Sequence, residues 1–167
     1  MAVAATCWFS SVAGAKEAAK PPPSSRDGWP IVILDDTFHI GDQTMRQFKH
    51  PKPMGREFKV NFELDELPLG IYVTITISHL MHPSDKKYRN DKYKTRLLIN
   101  GKEVAVLNEE LPRRPKKAEE TRIVVRVRNT HFQKGENEIV IAGGGLRKNT
   151  QDFELNRIEL HNRQPQR

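Results

Sequence analysis

Apolar and polar residues alternate through the middle of the chain. Phe58, Val60, Phe62 and Leu64 share one phase, and Glu57, Lys59, Asn61 and Glu63 the other. A period of two puts successive side chains on opposite faces, so this segment predicts a strand with one buried face and one wet face. Ile71, Val73, Ile75 and Ile77 repeat the pattern against Tyr72, Thr74, Thr76 and Ser78. That is a second long strand, expected to run antiparallel to the first beyond the Pro68-Leu69-Gly70 turn. Ile123, Val125 and Val127 alternate with Arg122, Arg126 and Arg128, and only Val124 interrupts the polar side. Shorter apolar runs at Ile31–Leu34, Leu97–Ile99, Val104–Leu107 and Ile139–Ala142 read as further strands, with Thr37–Ile40 as a short extension of the first. In Asp152–Leu160 the phase changes: Phe153 and Leu155 fit one face, Ile158 and Leu160 the other. A one-residue slip flips the faces, so a bulge near Asn156-Arg157 is needed to keep all four inside.

Turn chemistry separates these runs. Asn100-Gly101 between two β runs predicts a two-residue hairpin, because both residues tolerate positive φ. Gly135 and Asn137 mark another turn, and Gly143–Gly145 opens a loop that extends to Gln151. His82–Lys94 and Glu109–Glu120 are charged connections without apolar periodicity. No segment repeats at the helical period. The expectation is an all-β chain: an antiparallel β-sandwich, a jelly roll of about eight strands. A parallel sheet would need crossover helices for which there is no room.

The sandwich is expected over residues 29–162. Residues 16–28, with Pro21-Pro22-Pro23 and Ser24-Ser25, read as a linker, and residues 163–167 as a tail. Residues 1–15 carry no charge and end in Ala13-Gly14-Ala15, the small-x-small pattern of a secretory cleavage site, although no Lys or Arg precedes the apolar run. The run is shorter than the ~20 residues that span a bilayer. The reading is a signal peptide and a secreted or periplasmic location. The single cysteine, Cys7, excludes an intrachain disulfide framework and would leave with the leader.

The chain has 167 residues and a formal charge of +7, with a pI near 9.6. A domain of this size hides about 70% of its unfolded surface and needs no staple. The positive balance favours acidic partners. It says nothing about fold.

Three segments, Leu97–Asn108 (LLINGKEVAVLN), Lys134–Gly145 (KGENEIVIAGGG) and Asp152–Leu160 (DFELNRIEL), occur in this order. In them the chain resembles the galactose-binding-domain-like β-sandwiches, the type of carbohydrate-binding modules and accessory domains of polysaccharide lyases. Asn100-Gly101-Lys102, Lys134–Asn137 and Asp152–Leu155 are the matching positions. The resemblance implies a jelly roll and, by analogy, carbohydrate binding.

Candidate chemistry lies mainly in the loops. Tyr88 and Tyr93 stand among Lys86, Lys87, Arg89, Lys92 and Lys94, where no core demands an aromatic ring. Rings among cations suit an acidic polysaccharide. They also suit stacked bases, against which export argues. Tyr88, Tyr93, Lys87, Arg89 and Lys92 are therefore the expected ligand-binding residues. In modules resembling this one the loop before the last strand contributes amides, which adds Asn149 and Gln151. The same resemblance implies a structural calcium ion at Asp35, Asp36, Asp152 and Glu154; no other cofactor is expected. His79 and His82 flank a strand end but lack the further ligands of a zinc site. No Gly-x-Ser-x-Gly elbow, His-Glu-x-x-His or phosphate loop occurs, so no enzymatic activity is expected. The leading expectation is an exported, non-catalytic module for an anionic polysaccharide. The alternative is a protein-interaction or scaffold domain of a cell-envelope or secreted assembly.

Overall fold

A computed structural model describes residues 23–25, 28–88, 93–112, 119–146 and 149–166, with the backbone alone at residues 146 and 149. The described chain is all-β and contains eleven strands. They are β1 (Ile31–Leu34), β2 (Phe38–Ile40), β3 (Glu57–Leu64), β4 (Ile71–Ser78), β5 (Arg96–Ile99) and β6 (Lys102–Val106). Then follow β7 (Thr121–Val127), β8 (Gly135–Ala142), β9 (Gly145–Leu146), β10 (Asn149–Thr150) and β11 (Phe153–His161). No described helix is long and apolar enough to cross a membrane.

Two antiparallel sheets face each other. The first has the order β1-β11-β4-β7, with β2 also pairing with β11; the second has the order β3-β8-β5-β6. Setting aside the short β2, β9 and β10, the eight remaining strands in chain order occupy places 1-8-3-6 and 2-7-4-5. That is the double Greek key of a jelly roll. Consecutive strands β3 and β4 therefore run to opposite sheets and do not pair with each other. β3 pairs with β8, and β4 lies between β11 and β7. Alternation identifies a strand and its faces but not its neighbour.

The buried phase of each strand meets in one core. Phe62, Leu64, Ile71, Ile75, Ile77, Leu97, Ile99, Ile139, Phe153 and Ile158 are fully buried, and Trp29 packs at its margin. β11 keeps both of its apolar pairs inside through a register shift between Leu155 and Arg157 opposite β4. The predicted bulge is there, and it turns Arg157 outward to pair with Asp35 and Glu159. Asn100 and Gly101 have φ of 49° and 74°, as the two-residue hairpin requires. Gly143–Gln151 is not a plain loop. Residues 145–146 and 149–150 form a two-rung ladder, β9 with β10.

Pairing fixes what lies at each end of the sandwich. Ser78 lies opposite Glu154, Thr121 opposite Ile77, and both Glu57 and Arg96 opposite Ala142. Connections 41–56, 79–95, 107–120 and 143–152 therefore all start and finish at one end. Connections 65–70, 100–101 and 128–134 start and finish at the other. The second end is held by an amide network. Asn137, 2% exposed, accepts from the Gln133 backbone N–H and from Asn100 Nδ2, and donates to the carbonyls of Gln133 and Gly135. Asn137 in the Lys134–Asn137 motif thus shapes a turn.

Candidate functional site

The long-connection end is built around His39. Its imidazole, on β2, is fully buried, with Nδ1 2.8 Å from the His50 carbonyl and Nε2 3.1 Å from Asp152 Oδ1. Both ring nitrogens face an oxygen. The same Asp152 oxygen accepts the backbone N–H groups of Asp42 and Gln43 at 3.1 and 3.0 Å. Gly41 makes room for it: a Cβ there would stand 2.0 Å from Asp152 Oδ1. Segment 41–50 is thereby fastened over the start of β11.

Glu154 provides a second fastening. One oxygen accepts the Lys49 backbone N–H at 2.6 Å, and the other accepts the Ser78 hydroxyl at 3.3 Å. Phe48 fills the space between the two anchors. Its ring centroid lies 4.6 Å from that of His39 and 4.5 Å from that of His79. His79 holds φ at +64°, a conformation side chains seldom adopt, and its carbonyl accepts Gln151 Nε2 at 3.0 Å. Asp42 accepts the Thr150 N–H and lies 3.8 Å from Arg56. Polar atoms buried without a hydrogen-bond partner among the described residues collect here too: Asp42 Oδ1, His50 Nε2 and Gln151 Oε1.

The neighbouring connections are tied in the same way. Asn108, fully buried, accepts the Thr95 N–H and donates to the Met81 carbonyl. Tyr88 donates its hydroxyl to Glu109 at 3.0 Å, and Lys94 approaches the same carboxylate at 3.8 Å. Gly144 lies directly on the backbone of Tyr93 and Lys94.

The candidate residues divide accordingly. Tyr88 and Tyr93 are both 8% exposed. The open aromatic platform that their charged surroundings suggest is therefore absent; both rings fold inward where loops meet. Lys87 is exposed, and its backbone N–H donates to the Asp85 carboxylate. Gln151 is buried, with its amide turned to His79. Arg89, Lys92 and the side chain of Asn149 lie outside the described residues. The four carboxylates of the expected calcium site are each engaged by other groups of the protein. Asp35 pairs with Arg157, Asp36 with Lys49 and Asp152 with His39, while Glu154 accepts Lys49 N–H and Ser78. Among the described residues no group of three or more His, Cys, Asp or Glu is placed to hold a metal ion. Exposed Asp36 is held below the usual carboxyl value, chiefly by its hydrogen bond with Lys49 and then by the Thr37 N–H. His79 and His82 part company: His82 turns to Ser84, and His79 to Phe48 and Ser78.

Sequence reasoning missed His39, Asp42 and Phe48. His39 reads as one polar position in a short strand, and its partner Asp152 is far away in the chain. Only the pairing of β2 with β11 joins them. The long-connection end also presents cations to solvent: Arg46, Lys49, Lys52, Arg56, Lys86 and Lys87 are exposed. No family model matches this chain, and no curated protein matches it either.

Proposed function

We propose that this jelly roll is an exported, non-catalytic carbohydrate-binding module, of the galactose-binding-like kind. It holds an anionic polysaccharide at the long-connection end. The observation that supports this reading is the distribution of charge. Connections 41–56, 79–95, 107–120 and 143–152 contain fifteen Lys or Arg against eight Asp or Glu. Connections 65–70, 100–101 and 128–134 contain two against two. The surplus of seven on the first set equals the net charge of the whole chain, +7. Connections with a net positive charge attract a polyanion and steer its approach. With Tyr88 and Tyr93 turned inward, the ligand is held by cations and hydrogen bonds rather than by ring stacking.

A glycan array at low and physiological salt tests the reading. Acidic polysaccharides should bind, and binding should weaken as salt rises. Lys86→Glu with Lys87→Glu should lower affinity about tenfold, as expected for charges that steer and hold a polyanion, while the melting temperature stays put. Binding insensitive to both salt and that pair would sink the proposal.

The second reading is a protein-interaction or scaffold domain of an envelope or secreted assembly. The inward tyrosines and the buried Gln151 favour it, because they spend side chains on fixing loops. Silence on the array, with a protein co-purifying from the native host, would select this reading.

A further inference from the structure

We propose that the free edge of β7 docks an extended acidic peptide, which joins the first sheet as an additional strand. β7 is the terminal strand of that sheet, and β4 is its only ladder partner among the described residues. Among the described residues, the outer row of its backbone N–H and C=O groups therefore has no ladder partner. The remaining edges are treated differently. At β3 the carbonyl of Pro23 takes the Glu63 N–H, and Ser24 bridges to Glu63. β6 mixes Lys102 with Glu103. β1 and β2 share one side of β11, with Asp35 and Asp36 between them.

β7 alone carries a row of one sign. Arg122, Val124 and Arg126 occupy its outward phase, and Arg128 follows just past its end. Alternate residues stand about 6.8 Å apart along a strand. Arg126 and Arg128 are exposed and make no ion pair with any described residue; Arg122 donates to the Gln166 carbonyl at 3.3 Å. An added strand places its own side chains directly beside these, where opposite charges attract and like charges repel. A second copy pairing through the same edge would set arginine against arginine. The row selects an acidic partner, and the backbone edge selects a peptide, because a polysaccharide has no matching file of amides. The recognised pattern is acidic, apolar and acidic at alternate positions, facing Arg122, Val124 and Arg126. It is the same in either strand direction. A third acidic residue would face Arg128. Past Val127 a depression of about 450 Å³ opens between Leu69 and Arg126–Thr130, and Leu69 is wholly exposed.

The probe is a fluorescein-labelled peptide, Glu-Thr-Val-Thr-Glu-Thr-Glu, followed by anisotropy with the full chain. Binding is expected, with slower amide hydrogen exchange along Thr121–Val127. Exposed Arg126→Glu should weaken it about tenfold and let the Lys-for-Glu peptide bind instead, as cross-strand charge pairing requires. A peptide N-methylated at alternate amides should not bind. Equal binding of the N-methylated peptide would reduce the edge to a charged patch and overturn the proposal. So would no binding, an unaffected Arg126→Glu variant of normal melting temperature, or self-association that depends on Arg126.

Discussion

The two ends of the sandwich solve the same problem, reversing the chain between strands, by different means. At the tight-turn end the solution is local. Asn100-Gly101 turns by its own backbone geometry, and Asn137 bonds with residues four or fewer positions away and with the facing Asn100. At the long-connection end the solution is remote. Asp152 holds Asp42, Gln43 and His39; Glu154 holds Lys49 and Ser78. The first end is determined by neighbours in sequence, and the second by groups that meet only after the sheets have assembled. Irregular backbone held from below by buried side chains is a common setting for binding surfaces.

Removing the central acceptor at each end should expose this difference most strongly. Asp152→Ala leaves the buried His39 ring and two N–H groups facing nothing, and should cost about 4 kcal/mol. Asn137→Ala strips a similar number of groups, but from turns that lie beside water, and should cost about 2 kcal/mol. Denaturant unfolding of the two variants measures both. Equal losses would mean that the long-connection end is not more dependent on buried partners.

Glycine substitutions sharpen the comparison at the next level. A Cβ on Gly144 would lie 2.3 Å from the Tyr93 carbonyl carbon and 2.4 Å from Lys94 N, so backbone must move. Gly144→Ala should cost about 3 kcal/mol. Gly101 has φ of +74° and open space around it, so Gly101→Ala should cost only about 1 kcal/mol of backbone strain. Thermal unfolding should place Gly144→Ala well below Gly101→Ala; the reverse order would contradict the close approach of these loops.

The strands, the hairpin and the β11 bulge were legible because each is written within a few residues of itself. Period-two patterning gives faces, Asn-Gly gives a turn, and the phase break between Leu155 and Ile158 demands one extra residue. The end that bears the candidate site was not legible. Tyr88 and Tyr93, surrounded in sequence by cations, read as exposed rings, yet Glu109 and the backbone of Gly144 draw their connection inward. His39 and Asp152 gave no joint signal, since neither has a local spacing that names the other. Sheet neighbours were hidden for the same reason: β3 and β4 look like a hairpin and belong to different sheets.

The smallest effect concerns the exposed side of this end. Lys49 holds the Asp36 carboxyl below its ordinary value. A carboxyl lowered in the folded state adds stability above its unfolded value, and this is lost as pH falls through the lower folded one. Asp36→Asn should therefore slightly lower stability at neutral pH, leave it unchanged at strongly acid pH, and so flatten the acid limb of a stability–pH curve. A variant that steepens the acid limb would contradict the pairing.

The closing of the first sheet has a kinetic consequence. Ile31 lies opposite Leu160, so the first and last strands must find each other across the whole domain. Among the described strands only the β5–β6 hairpin and the short β9–β10 ladder pair near neighbours. The entropy of joining distant segments is lost before their contacts repay it, so folding should be slow, roughly milliseconds to seconds. Until β1 and β11 meet, β11 has an unpaired edge, and crowded chains can exchange strands there. Trp29, packed where β1 enters the core, reports that final event. Its stopped-flow fluorescence in a Trp8→Phe background should follow the slowest phase; a Trp29 signal that finishes first would reverse this order of assembly.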